Sequence, residues 1–79
     1  MKLPRDIAGR DLVQALCRDW GYRVEHQVGS HIVLDTESPS HHRVTVPGHS
    51  PLRIGTLNSI LRAVSRHKGV TRDALLDSL

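Results

Sequence analysis

The residues best suited to chemistry in this 79-residue chain are Gly29, Ser30 and His31, set between two short β-type runs. An imidazole takes up or releases a proton near neutral pH. A Gly-Ser pair just before it bends the chain and brings backbone amides to where an anion can meet them. Acid–base work on a phosphate is the chemistry this pattern suggests. The plainer alternative is a strand-start histidine bonded to a neighbouring carbonyl. Ser30 reads as a turn residue rather than a nucleophile.

Six histidines in so short a chain also raise the question of a metal. Zinc sites show short, regular ligand spacing and often thiolates. The single cysteine, Cys17, falls on the apolar stripe of a helix, so neither a metal nor another cofactor is expected. His41 and His42 read as solvated loop histidines. His49 reads as a phosphate contact or a helper in proton transfer.

Eleven Lys and Arg against eight Asp and Glu give a formal net charge of +3, which suits a polyanionic partner. The bland alternative is the ordinary net charge of a small domain. Arg10, Arg18, Arg43, Arg53, Arg62, Arg66 and Lys68 are spread along the chain, and a solvated face is the default for each. Arg43, on the strand next to His31, is the cation expected to stabilise extra phosphate charge. One cysteine excludes an internal disulfide and fits a reducing, cytoplasmic setting. No apolar run approaches the ~20 residues that span a bilayer, and residues 1–6 do not lead into a signal peptide.

These side chains must be positioned by a few short elements. Leu12, Val13, Leu16, Cys17 and Trp20 share one stripe of a helix over residues 8–20, which Gly21 ends. Residues 22–26 alternate as a strand, Gly29-Ser30 turns the chain, and residues 31–36 form the second arm of a hairpin. A loop over residues 37–40 leads to a third strand, residues 42–46, stopped by Pro47-Gly48. After an irregular segment over residues 49–55, Leu57, Ile60, Leu61 and Val64 mark a second amphipathic helix. Gly69 closes it, and Thr71 caps a short last helix with Val70 and Leu75 as a hydrophobic staple. The expectation is a single α+β domain over residues 1–79. Its order is α-β-β-β-α plus a short C-terminal helix, with two helices on one face of a three-stranded antiparallel sheet.

Along nearly its whole length the chain resembles the HicA (YcfA-like) family of toxins from toxin–antitoxin pairs. The matching pieces are Gly9-Arg10-Asp11-Leu12-Val13 through Leu16, then Gly21-Tyr22, Gly29-Ser30-His31, and Val44-Thr45-Val46-Pro47. Gly55-Thr56-Leu57 leading to Ile60-Leu61-Arg62 completes the set. The order and spacing of the pieces carry the resemblance, each being weak alone. Two departures stand out: Ile32-Val33-Leu34 replaces an aromatic that often follows the histidine, and residues 65–69 are unusually basic.

The resemblance implies a double-stranded-RNA-binding-domain-like fold, metal-independent endoribonuclease activity on messenger RNA, and neutralisation by a HicB-type antitoxin. It places the family's catalytic histidine on His31. RNA supplies its own nucleophile in the 2′-hydroxyl, so the protein needs a proton-transfer group and positive or N–H groups about the phosphorus. Gly29, Ser30, Arg10, Arg43, His49 and Arg62 are the expected RNA and phosphate contacts. A double-stranded-RNA-binding fold needs cations but few aromatics, and Trp20 and Tyr22 are the only two here. The rival readings are a non-catalytic double-stranded-RNA-binding module and a protein-interaction module of the same fold.

Overall fold

The computed structural model describes residues 7–48 and 51–79. The first helix, α1 (Gly9–Asp19), forms on the expected stripe. Leu12, Val13 and Leu16 are buried, and Cys17 and Trp20 pack half-buried against the same core. Burial pushes the Cys17 thiol upward. Three strands follow, β1 (Arg23–Val28), β2 (His31–Thr36) and β3 (His42–Pro47), and then α2 (Ile54–Lys68) and α3 (Arg72–Asp77). In α2 the buried residues are Leu57, Ile60, Leu61 and Val64, as the spacing requires. The hydroxyl of Thr71 accepts from the Ala74 amide at 3.1 Å and caps α3. Leu75 and Leu76 bury α3 in the common core, and Trp20 Nε1 donates to Ser78 Oγ at 3.0 Å to tie its end to α1.

The strands form one antiparallel sheet in the order β1-β2-β3, giving the expected α-β-β-β-α arrangement. Ile32 and Leu34 alternate inward and join Val44 and Val46 in the core beneath the helices. The alternate residues, His31, Val33 and Asp35 on β2 with Arg43 and Thr45 on β3, take the opposite face, away from the described helices.

Besides one-residue shifts at the ends of α1 and β3, two boundaries differ from the sequence reading. Tyr22 is not the first strand residue; it is buried in the core, and β1 runs from Arg23 to Val28. Every β1 residue is exposed, so its alternation reports no burial, and pairing with β2 holds it in place with a bulge between Val24 and His26. The second helix starts at Ile54, so Gly55 lies inside its first turn rather than in an irregular segment. The Leu57 amide bonds the Arg53 carbonyl at 2.9 Å and closes that turn upstream of the apolar stripe.

Three contacts gather one end of the molecule. Gly29 adopts φ 59°, the left-handed conformation that a β1–β2 turn requires and that costs glycine nothing. The Gly48 amide then donates to the Ser30 carbonyl, and the Leu52 amide donates to the Ile7 carbonyl at 2.7 Å. Gly9 lies so close to β3 that a Cβ there would sit 1.9 Å from the Pro47 carbonyl oxygen. The start of α1, the hairpin turn and the approach to α2 therefore meet around the first residue of β2. No helix of the described residues is long and apolar enough to cross a membrane.

Candidate active site

His31 opens β2, opposite Val28 on one side and Pro47 on the other. Its side chain is exposed and faces a cleft of about 420 Å³ lined by Pro47, Pro51, Leu52, Arg53 and Thr56. Leu52 and the two prolines supply apolar walls; the polar side chains are His31, Arg53 and Thr56. No carboxylate is among the described lining residues. Neither His31 nor Arg53 makes a side-chain hydrogen bond or ion pair with another described residue.

The electrostatics of this cleft favour an anion. Arg53 is the N-cap of α2, makes no side-chain cap bond, and is followed by a first turn without an acidic residue. The first amides of a helix lack intrahelical partners and carry the positive end of its dipole. Arg53 adds a full charge with a planar fork that matches phosphate oxygens. The His31 imidazole thus shares a space open to solvent with the Arg53 guanidinium.

The other residues singled out from the sequence are not all brought here. Gly29 and Ser30 form the turn beside His31, where the Gly29 carbonyl accepts from Gln27 Nε2 at 2.9 Å and the Ser30 carbonyl from Gly48. Arg10 follows Gly9 at the start of α1, so it lies exposed at the cleft end of the sheet. Arg62 is exposed on α2, nine positions beyond Arg53 and roughly 13 Å along the axis at 1.5 Å per residue. His49 lies outside the described residues.

Arg43 is placed elsewhere. It stands opposite Asp35 in the ladder, four residues from His31, or roughly 13 Å at strand rise. Its guanidinium holds the Asp35 carboxylate through two bonds, Nε to Oδ1 at 2.7 Å and Nη2 to Oδ2 at 3.0 Å. Those bonds and the charge behind them keep the Asp35 carboxyl below the usual carboxylate range, with His41 adding to the effect. Arg53 and Thr56 occupy the place by the cleft that the sequence reading gave to Arg43. The clue available in the sequence was Arg53 at the head of Gly55-Thr56-Leu57.

The histidines also divide by position. Among the described histidines only His31 lines the cleft, while His42 and His67 stack at the far end of the sheet. His42 is half-buried and hydrogen-bonded to Tyr22, so it is not the solvated loop histidine that its neighbours in the sequence suggested. His41 is exposed, 3.7 Å from Asp35 and 3.9 Å from Glu37. Among the described residues no three His, Cys, Asp or Glu side chains gather in a way that could hold a metal ion.

Residues 9–65 match the family described as HicA toxin of bacterial toxin–antitoxin. The chain belongs to this family. The match runs from the first residue of α1 nearly to the end of α2, so it includes the whole sheet and every described cleft residue. It stops before α3. No curated protein and no solved structure shows significant similarity to the chain. Membership in the HicA family makes the chain the toxin of a toxin–antitoxin pair, with an antitoxin as its partner.

Proposed function

We propose that this HicA-family toxin is an endoribonuclease that cuts messenger RNA without a metal, with His31 as its general acid–base group. The observation that carries the reading is the cleft in which an exposed imidazole, without a partner among the described residues, faces Arg53 and Thr56. In the proposed reaction the substrate's 2′-hydroxyl loses its proton to the His31 imidazole and attacks the adjacent phosphorus. The bond to the 5′-oxygen breaks, leaving a 2′,3′-cyclic phosphate and a 5′-hydroxyl. The leaving oxygen takes up one proton, for which His49 is the candidate donor in the sequence.

Arg53 meets the charge that grows on the non-bridging phosphate oxygens, with the first amides of α2 and the Thr56 hydroxyl beside it. Preorganised donors of this kind act where charge develops in the transition state. Arg10 and Arg62 extend the cationic surface on either side, suiting a duplex or folded RNA read by shape and backbone. The antitoxin, of HicB type, is proposed to be an acidic domain covering His31 and the cleft in the cytoplasm.

The deciding experiment uses the purified chain with a short RNA and with the same RNA carrying a 2′-deoxy sugar at the scissile position. Cleavage is expected to persist in EDTA, to fail on the deoxy substrate, and to fall 10²- to 10⁴-fold in His31→Ala, the range of a positioned acid or base. Equal cleavage by His31→Ala, or cutting of the deoxy substrate, overturns the mechanism.

A further inference from the structure

The far end of the sheet carries a second set of titratable groups that the proposed reaction does not use. Tyr22 Oη lies 2.9 Å from His42 Nδ1. The His42 ring stacks on His67, with centroids 4.3 Å apart and planes 15° from parallel. His67 Nε2 lies 2.8 Å from the Ser40 carbonyl, which can only accept, so this nitrogen carries a proton. Lys68 Nζ donates to Thr36 Oγ1 at 3.0 Å and to the Ser38 carbonyl, and sits 4.9 Å from the centre of the Tyr22 ring. Through these bonds the end of α2 grips the connection between β2 and β3.

We infer that the Tyr22–His42–His67 cluster is a proton-sensitive latch, which holds residues 37–41 against the end of α2 and releases them when His42 is protonated. The bond to Tyr22 sets the direction. Burial pushes the Tyr22 hydroxyl up to about 12, so at neutral pH it is an intact O–H group able to donate to His42 Nδ1. A proton taken from solvent on Nδ1 turns that nitrogen into a donor, so the Tyr22 hydrogen must turn away and the phenol oxygen accept in its place.

The charges around His42 also oppose its protonation. From α2 it meets the His67 ring and the Lys68 ammonium, from the loop His41, and from the residue before β1 the neutral Tyr22 hydroxyl. The nearby acids are engaged elsewhere: Asp35 with Arg43 and His41 on the other face, and Glu37 with His41. No described carboxylate lies within ion-pair distance of His42 or His67. Burial first, and then the positive neighbours His67, His41 and Lys68, hold His42 below its ordinary value of 6.5.

A group with a lowered histidine value binds its proton more readily once released. The latch is therefore fully closed above pH 6.5 and weakens as pH falls from there toward the folded value. The inference does not depend on ribonuclease activity. The histidine rings of the intact chain can be titrated by NMR while the amide order parameters of residues 37, 38, 40 and 41 are followed. We expect those order parameters to fall from about 0.85 to below about 0.6, with the same midpoint as the His42 ring and with β1–β2 amides unchanged. In His42→Phe, which keeps a stacking ring but cannot titrate, the loop's order is expected to be independent of pH. A loop that stays ordered through the whole His42 titration overturns the latch. So does a transition that follows His41, or one that persists in His42→Phe.

Discussion

The two ends of β2 treat polar side chains in opposite ways. At the His31 end an imidazole and a guanidinium line an open cleft without described partners. At the Thr36 end, Thr36, Tyr22, His42, His67 and Lys68 are knitted into hydrogen bonds and ring contacts. Among the described residues no buried side-chain nitrogen or oxygen lacks a partner. A small domain satisfies its polar groups wherever it can, because an unpaired buried one costs stability. Groups left free and facing a concavity are then the ones available to a ligand. The far end shows what the same residue types look like in a structural role.

The sharpest way to break this comparison is His31→Ala. It is expected to remove 10²- to 10⁴-fold of RNA cleavage while changing stability by less than about 0.5 kcal/mol, as for an exposed residue without described partners. Urea unfolding alongside a gel assay measures both. A large loss of stability would make His31 a structural histidine after all.

Next is Arg53→Ala, expected to lower the cleavage rate about 10²-fold, the size of losing one charge-stabilising donor. Arg43→Ala is its control. That variant should leave cleavage unchanged and lower stability, because the nearly buried Asp35 loses both guanidinium bonds. The Asp35 carboxyl is held below its ordinary 3.8, so the pair's contribution is present above that pH and disappears as pH falls through the folded value. Arg43→Ala should flatten that acid limb in a pH series of unfolding curves. Loss of cleavage in Arg43→Ala with Arg53→Ala fully active would restore the sequence assignment.

A smaller effect is expected from Gly9→Ala, where the new methyl group meets the Pro47 carbonyl at 1.9 Å. Overpacking of this kind costs about 1–3 kcal/mol. Because Pro47 lines the cleft, cleavage should fall while the titration of His42 stays as it was. Equal disturbance at both ends, read from NMR shifts, would mean that the sheet does not separate them.

Much of the architecture was legible because it rests on local rules. The stripes Leu12-Val13-Leu16 and Leu57-Ile60-Leu61-Val64 each specify a helix face, and Thr71 caps where a hydroxyl should. Gly29-Ser30 specifies a turn, which puts His31 first on a strand. Arg43 and Arg53 could not be ranked in this way. Both are isolated arginines in the sequence, and their roles depend on which residue stands across the ladder and which helix end faces the strand. His42 and His67 were equally opaque, being separated by a loop, a strand and most of a helix.

The sequence by itself determined the element order, the buried faces of the two longer helices and the place of His31 after its turn. Those depend on periodicity and on the conformational range of single residues, both of which act over a few positions. Only the tertiary structure decided that Arg53 shares the cleft while Arg43 is held by Asp35, and that His42 stacks on His67. Charge pairing and ring stacking act through distances in space, and those distances exist only once the sheet register and the packing of α2 have been set.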